Sequence, residues 1–227
     1  MKRFVGIAVV LCAGMVSVAH AMAQTSAPLN TADKFRDTSM LKPPAGAKVA
    51  VFEFEDLECP ACAYAFPIVH QAVSHYNIPL SQHDFLLGGE HAERGDLEAA
   101  IWARYLQDKV SPKTADEYRG AAFLGQNAIE TRDDMQAFTR KFFQSHGVQM
   151  PFVADPTGEL KKEVQADVDL GRKLGVQFTP CIIVVTQHEW IHVTKVDSLY
   201  DAIDELEAKL GPAPAAAKTA TKKKPAQ

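Results

Sequence analysis

The segment FEDLECPACAY, residues 54 to 64, carries two cysteines, Cys59 and Cys62, separated by Pro60 and Ala61. At this spacing a pair can be a redox couple, half of a zinc site or a structural clip. The flanking residues favour the first. KVAVFEFE, residues 48–55, is β-branched and aromatic and reads as a buried strand. From Pro60 the apolar residues Ala61, Ala65, Ile68, Val69 and Ala72 recur at helical spacing to about Tyr76, and proline suits a first helical position. The cysteines therefore occupy the first turn of a helix. Residues three apart there are separated by about 5–6 Å, inside the window of an unstrained disulfide. Cys59, at the cap, meets unpaired N–H groups and the positive end of the helix dipole, which favour a thiolate. It is the expected nucleophile, and Cys62, one turn deeper, is the expected resolving thiol.

A zinc site needs two more ligands, and the histidines do not supply them at useful spacing. His70 and His75 are five apart on a helix, and His188 and His192 are about 13 Å apart if extended. A clip that closes two residues restrains the unfolded chain little. In the redox reading no metal and no cofactor are expected. A module that holds a metal or cluster on Cys59, Cys62 and Cys181 is the alternative from a different class.

The compartment follows from the first residues. Lys2 and Arg3 precede an apolar run from Phe4 to Ala19, and small-x-small sites follow at Ala19-His20-Ala21 and Ala21-Met22-Ala23. Residues 1–23 read as a secretory signal peptide, too short in its apolar run for a spanning helix. Cys12 leaves with it. The mature chain is expected to be periplasmic or otherwise exported, with three cysteines, an odd count unlike a disulfide-stapled scaffold. It keeps 22 basic against 28 acidic residues, which argues against a nucleic-acid partner. The end, GPAPAAAKTATKKKPAQ (211–227), has no large apolar side chain and reads as a disordered tail, able to touch an acidic surface weakly.

Between these ends, residues 24–47 read as an irregular lead-in and 48–210 as one domain. PLSQHDFLL (79–87) is a second strand. Helices follow, with Asp96 as a cap for one through Gln107, Ser111-Pro112 and Thr131 opening two more, and Asp155-Pro156 opening a fourth that stops at Gly175. CIIVV (181–185) and WIHVTK (190–195) form a hairpin, and Ser198 caps a last helix to Leu210. This order specifies a mixed α/β sheet with a helical insertion at about residues 90–165.

VFEFEDLECPAC, followed by GVQFTPCIIV and a final hairpin plus helix, resembles the DsbA-like branch of the thioredoxin superfamily over residues 48–210. The resemblance implies a thioredoxin-like α/β fold with an inserted helical subdomain and a cis peptide bond at Pro180. It also implies that the Thr179 backbone aligns a substrate strand, and that Glu53, six residues before Cys59, relays a proton to or from Cys62. By strand alternation Glu53 shares a face with Val51 and Glu55, while Phe52 and Phe54 take the other. The alternative for Glu53 is a solvated strand end, since Glu55, Asp56 and Glu58 read as surface residues.

The expected function is an exported thiol-disulfide oxidase, acting through the Cys59-Cys62 disulfide on reduced or misoxidised secreted polypeptides. A membrane redox partner would recycle it. A reductase is the alternative, because Pro60-Ala61 lacks the histidine that family oxidases often place between their cysteines, and Thr179 replaces an aliphatic residue. A monomer is expected, since only about 25 residues precede the first strand. Cys181 is either a small core thiol or an accessory thiol beside the pair.

Overall fold

The computed structural model describes residues 26–28 and 39–211. The expected signal peptide and the lysine-rich tail beyond Gly211 fall outside the described residues. The strands are β1 (Ser26–Pro28), β2 (Ala50–Glu55), β3 (Leu80–Asp84), β4 (Cys181–Val185) and β5 (Glu189–Val193). They form one sheet in the order β1-β5-β4-β2-β3, with β2 and β3 parallel and the other neighbours antiparallel. The β-branched and aromatic run that predicts a buried first strand supplies β2, which lies between β3 and β4 with all six residues buried. Part of the expected lead-in is not irregular: Ser26–Pro28 pairs with Glu189, Trp190 and Ile191 at the sheet's edge.

Alternation along the strands gives the sheet two covered faces. Val51, Ile182, Val184 and Ile191 pack on one side with Ala65, Val69 and Ala72 of α1 (Pro60–Tyr76). Leu199, Ala202, Ile203 and Leu206 of α7 (Leu199–Leu210) complete that core. Phe52, Phe54, Cys181, Ile183 and Val185 turn to the other side, where Leu174 of α6 (Glu159–Leu174) meets them. Gly171 lets this helix approach closely, because a Cβ there would collide with the Phe85 ring.

The insertion between the sheet's halves consists of α2 (Glu90–Arg94), α3 (Asp96–Lys109), α4 (Pro112–Gly125), a 3-10 turn (Gln126–Ala128), α5 (Arg132–Ser145) and α6. Thr131 caps α5 in a full capping box with Asp134, and Ser111 caps α4 by accepting from the Thr114 amide. Two helix starts differ from the sequence reading. Gly95, at φ 101°, takes the cap position of α3, so Asp96 becomes its first residue. Asp155-Pro156 does not start α6, which begins at Glu159 after Gly158 and carries the helical block on to Leu174. The Asp155 carboxylate instead accepts from the Lys161 amide at 2.9 Å.

This insertion has its own core of Leu106, Tyr118, Phe123, Met135, Phe142 and Phe143, and that core also includes Leu57, Cys59 and Cys62. The helical block is therefore packed onto the cysteine end of α1. Gly120 of α4 admits Phe66 of α1, where an added Cβ would meet the ring at 2.9 Å. Among the described residues no helix is long and apolar enough to cross a membrane.

Candidate active site

Cys59 is the N-cap residue of α1, with Pro60 next and extended backbone angles of φ −85° and ψ 117°. Its carbonyl accepts from the Cys62 and Ala63 amides, both at 3.1 Å, which ties the pair into one turn. The Cys59 thiol donates to the carbonyl oxygen of Thr179 at 3.4 Å. The Thr179-Pro180 peptide bond is cis. Residues 120 positions apart thus meet at one point, because α1 and β4 both begin at the same end of the sheet.

The two thiols are driven in opposite directions. A hydrogen bond from the Cys62 thiol, aided by Thr179 and by the amides of Cys62 and Ala61, pulls Cys59 down to about 5. Burial pushes Cys62 well above the ordinary thiol range. Cys59 is less open than its cap position suggests: it is 5% exposed, against 0% for Cys62. The covering comes from the insertion, where Gln126 donates its side-chain amide to the carbonyls of Leu57 (2.7 Å) and Cys59 (3.1 Å). Arg94 in turn donates to the carbonyls of Gln126 and Ile129, which anchors the 3-10 turn over the site. Exposed Tyr64 and Phe178 follow Cys62 and precede Thr179 in the chain.

Glu53 lies on the α1 side of the sheet, opposite Ile182 in register, and is fully buried. Neither of its carboxyl oxygens has a hydrogen-bond partner. Burial raises its pKa well above the ordinary value, which favours the protonated carboxyl over the carboxylate. The solvated-strand alternative is thereby removed.

Its neighbours correct the sequence reading, for Glu55, Asp56 and Glu58 are all buried. Glu55 Oε1 pairs with Arg119 Nη1 at 2.8 Å, and the same nitrogen reaches Asp84 Oδ1 at 2.8 Å. Asp84 also takes Arg104 at 2.8 Å, and Arg104 pairs with Asp167. Asp56 accepts from the amides of Glu58 and Leu87 and from His91 Nδ1. Glu58 faces Arg94 Nε at 3.1 Å. Burial lifts Glu55 and Glu58 each to about 7, whereas Arg119 and Arg104 hold Asp84 below its ordinary value against burial. The acids are buried because the insertion closes over the β2–α1 turn, a contact that local polarity cannot reveal. One signal was available for Glu55, whose period-two spacing puts it on the face of Glu53.

Cys181 is buried at the start of β4, opposite Phe54 in register. It packs on the α6 face with Ile183 and Trp190, whereas Glu53 turns to α1. Among the described residues no group of three or more His, Cys, Asp or Glu side chains could hold a metal ion.

A family model described as Thioredoxin matches residues 38–205 of the chain. Among solved structures, Pseudomonas aeruginosa DsbA2 is similar at 19% identity, with 75% of this chain and 95% of that one covered and a TM-score of 0.57. Wolbachia pipientis alpha-DsbA1 is similar at 14% identity, with coverage of 76% and 96% and a TM-score of 0.60. Proteus mirabilis ScsC, in a transitional conformation, is similar at 18% identity, with coverage of 74% and 70% and a TM-score of 0.55. No curated protein matches the chain.

Proposed function

Because the chain belongs to the thioredoxin family and has the fold of its DsbA-like thiol-disulfide oxidoreductases, we propose that it is an exported thiol-disulfide oxidase that passes its Cys59-Cys62 disulfide to secreted polypeptides. One observation carries the direction: Cys59 is pulled down to about 5 while Cys62 is pushed up. A stabilised thiolate stabilises the reduced form, and a stable reduced form makes the disulfide a stronger oxidant. That favours oxidase over reductase despite the Pro60-Ala61 dipeptide.

In the oxidising direction a substrate thiolate attacks the Cys59 sulfur, and the Cys59-Cys62 bond breaks with Cys62 leaving. The proton that Cys62 needs comes from Glu53, whose buried carboxyl, with its pKa raised by burial, suits proton donation. A second substrate thiolate then attacks the mixed disulfide at the substrate sulfur. The substrate leaves oxidised, and Cys59 leaves as a thiolate held by the amides of Cys62 and Ala61. The Thr179 backbone, which accepts from the Cys59 thiol and precedes cis Pro180, pairs in this reading with an extended substrate segment. The proposed site is Cys59, Cys62 and Glu53, with Thr179 and Pro180 binding substrate. A membrane redox partner would reoxidise the pair.

The test uses the purified oxidised protein and a reduced, unfolded polypeptide with two cysteines. Stoichiometric formation of the substrate disulfide, with loss of the Cys59-Cys62 bond, is expected. Substrate left as dithiol while the protein keeps its disulfide would reject the oxidase.

A further inference from the structure

Glu55 takes no part in the exchange just described, yet it is built into the same buried layer. It lies two residues from Glu53 on β2 and therefore on the same face of the sheet. Its Oε1 meets Arg119 at 2.8 Å and the half-buried Gln82 amide at 3.4 Å, while its Oε2 is buried without a hydrogen-bond partner. Both oxygens of Glu53 are in the same condition. Asp84 is served by Arg104 as well as Arg119, and Arg104 is shared with Asp167. Little positive charge remains for Glu53 and Glu55. A buried layer with so little compensation tolerates one negative charge on this pair far better than two. When one carboxyl is ionised, the other must keep its proton.

We propose that Glu55, held by Arg119 on the Glu53 face of β2, is a second proton-handling carboxyl of the exchange site, a positioning residue that shares a proton with Glu53 and through it governs the protonation of Cys62. The proposal rests on the thiol-disulfide reading above. As Cys62 leaves, its sulfur takes the Glu53 proton, so that an S–H bond forms and an O–H bond breaks. No hydrogen bond joins the two carboxyls, so a water molecule carries the Glu55 proton to the Glu53 carboxylate, and the negative charge ends on Glu55 against Arg119. Water returns a proton to Glu55. No electrons move beyond the pair exchanged between disulfides.

The groups that face Glu55 are Glu53 on its own strand, Gln82 and Asp84 on β3, Arg119 and Asp116 on α4, and Cys62 on α1. Arg104 and Asp167 act at one remove, through Asp84. Burial lifts Glu55 to about 7 against the pull of Arg119, which leaves it partly protonated at neutral pH. Its charge also adds to the rise of the Cys62 thiol.

The test is the single-turnover reduction of the oxidised protein by glutathione from pH 5 to 9, with the rate expressed per glutathione thiolate. The unaltered protein is expected to slow through an inflection near pH 7 as Glu55 loses its proton. Glu55→Gln should abolish that inflection, and Glu55→Asp should restore it at a different pH. In a Cys59→Ala background, Glu55→Gln should also speed alkylation of Cys62 at pH 8 by about tenfold, since a thiol whose pKa falls by one gains that much thiolate. An inflection of unchanged position and size in Glu55→Gln overturns the proposal and leaves the exchange reading intact. If Glu55→Gln does not fold, Glu55→Asp decides, and an unmoved inflection overturns the proposal. A disulfide in the unaltered protein that glutathione cannot reduce overturns the exchange reading itself.

Discussion

The Cys59 sulfur and the Thr179 carbonyl oxygen, 120 residues apart in the chain, lie 3.4 Å apart with the thiol donating across the gap. Ionisation removes that donor, so the thiolate must be held by other groups. The Cys62 thiol and the amides of α1 supply part of the support, and the Thr179 hydroxyl, buried without a hydrogen-bond partner, is a further side-chain donor there. Thr179→Val keeps the shape and removes the donor. The midpoint of Cys59 ionisation should rise by about one pH unit, since one lost hydrogen bond to a charged group is worth about 1.5–3 kcal/mol before solvent compensates. Thiolate absorbance followed against pH checks this, and an unmoved midpoint would show that the Cys62 thiol and the backbone set the thiol without Thr179.

Glu53→Gln should slow disulfide transfer by about 10²-fold or more while leaving the far-ultraviolet circular dichroism unchanged, because the carboxyl moves a proton and makes no hydrogen bond that the fold uses. The loss should be largest above pH 7, where water is the poorer acid. Equal rates in both proteins across the range would remove Glu53 from the chemistry.

The buried carboxyls also predict how stability changes with pH. Folded-state pKa values of Glu53, Glu55 and Glu58 lie above the ordinary 4.5. Their contribution is therefore complete below about pH 4.5 and is lost as pH rises toward 7 and beyond. The Cys59 thiolate has the opposite sign, so the oxidised protein isolates the carboxyls. Its urea midpoint should fall between pH 5 and pH 8, because a carboxyl that binds its proton tenfold more tightly in the folded chain than in the unfolded one loses about 1.4 kcal/mol of stability on ionising. A flat or rising midpoint would mean that water or counter-charges reach these acids.

Much of this site was legible in the sequence, and the reasons for success and failure differ by residue. Cys59 at the cap of α1 and Glu53 on the inner face of β2 follow from proline position and period-two alternation, both local properties. The burial of Glu55, Asp56 and Glu58 does not. It depends on Arg119, Arg94 and His91, which arrive from the insertion at sequence separations that no periodicity encodes. Arg119 shares a helix face with Ala115, Tyr118, Ala122 and Phe123, and only the fold places a carboxylate pair opposite it. The late start of α6 is instead a local effect, since the Asp155 carboxylate engages the Lys161 amide six residues on rather than capping at once.

Cys181→Ala should retain most of the transfer activity, because the side chain packs among Phe54, Ile183 and Trp190 on the face turned to α6. The expected cost is about 1 kcal/mol of stability from the small space left behind. Peptide mapping after peroxide treatment should find the Cys59-Cys62 bond alone in both proteins. A mixed product containing Cys181 would restore the accessory thiol.

The central claim is that Cys59 and Cys62 form an oxidising couple, and its most direct test is the reduction potential of that couple, from equilibration with glutathione at pH 7 and quantified by alkylation. The low Cys59 thiol predicts a value between about −120 mV, typical of DsbA, and about −180 mV, typical of protein disulfide isomerase. A value near the about −270 mV of thioredoxin, or a pair that never closes under oxidising glutathione, would contradict it.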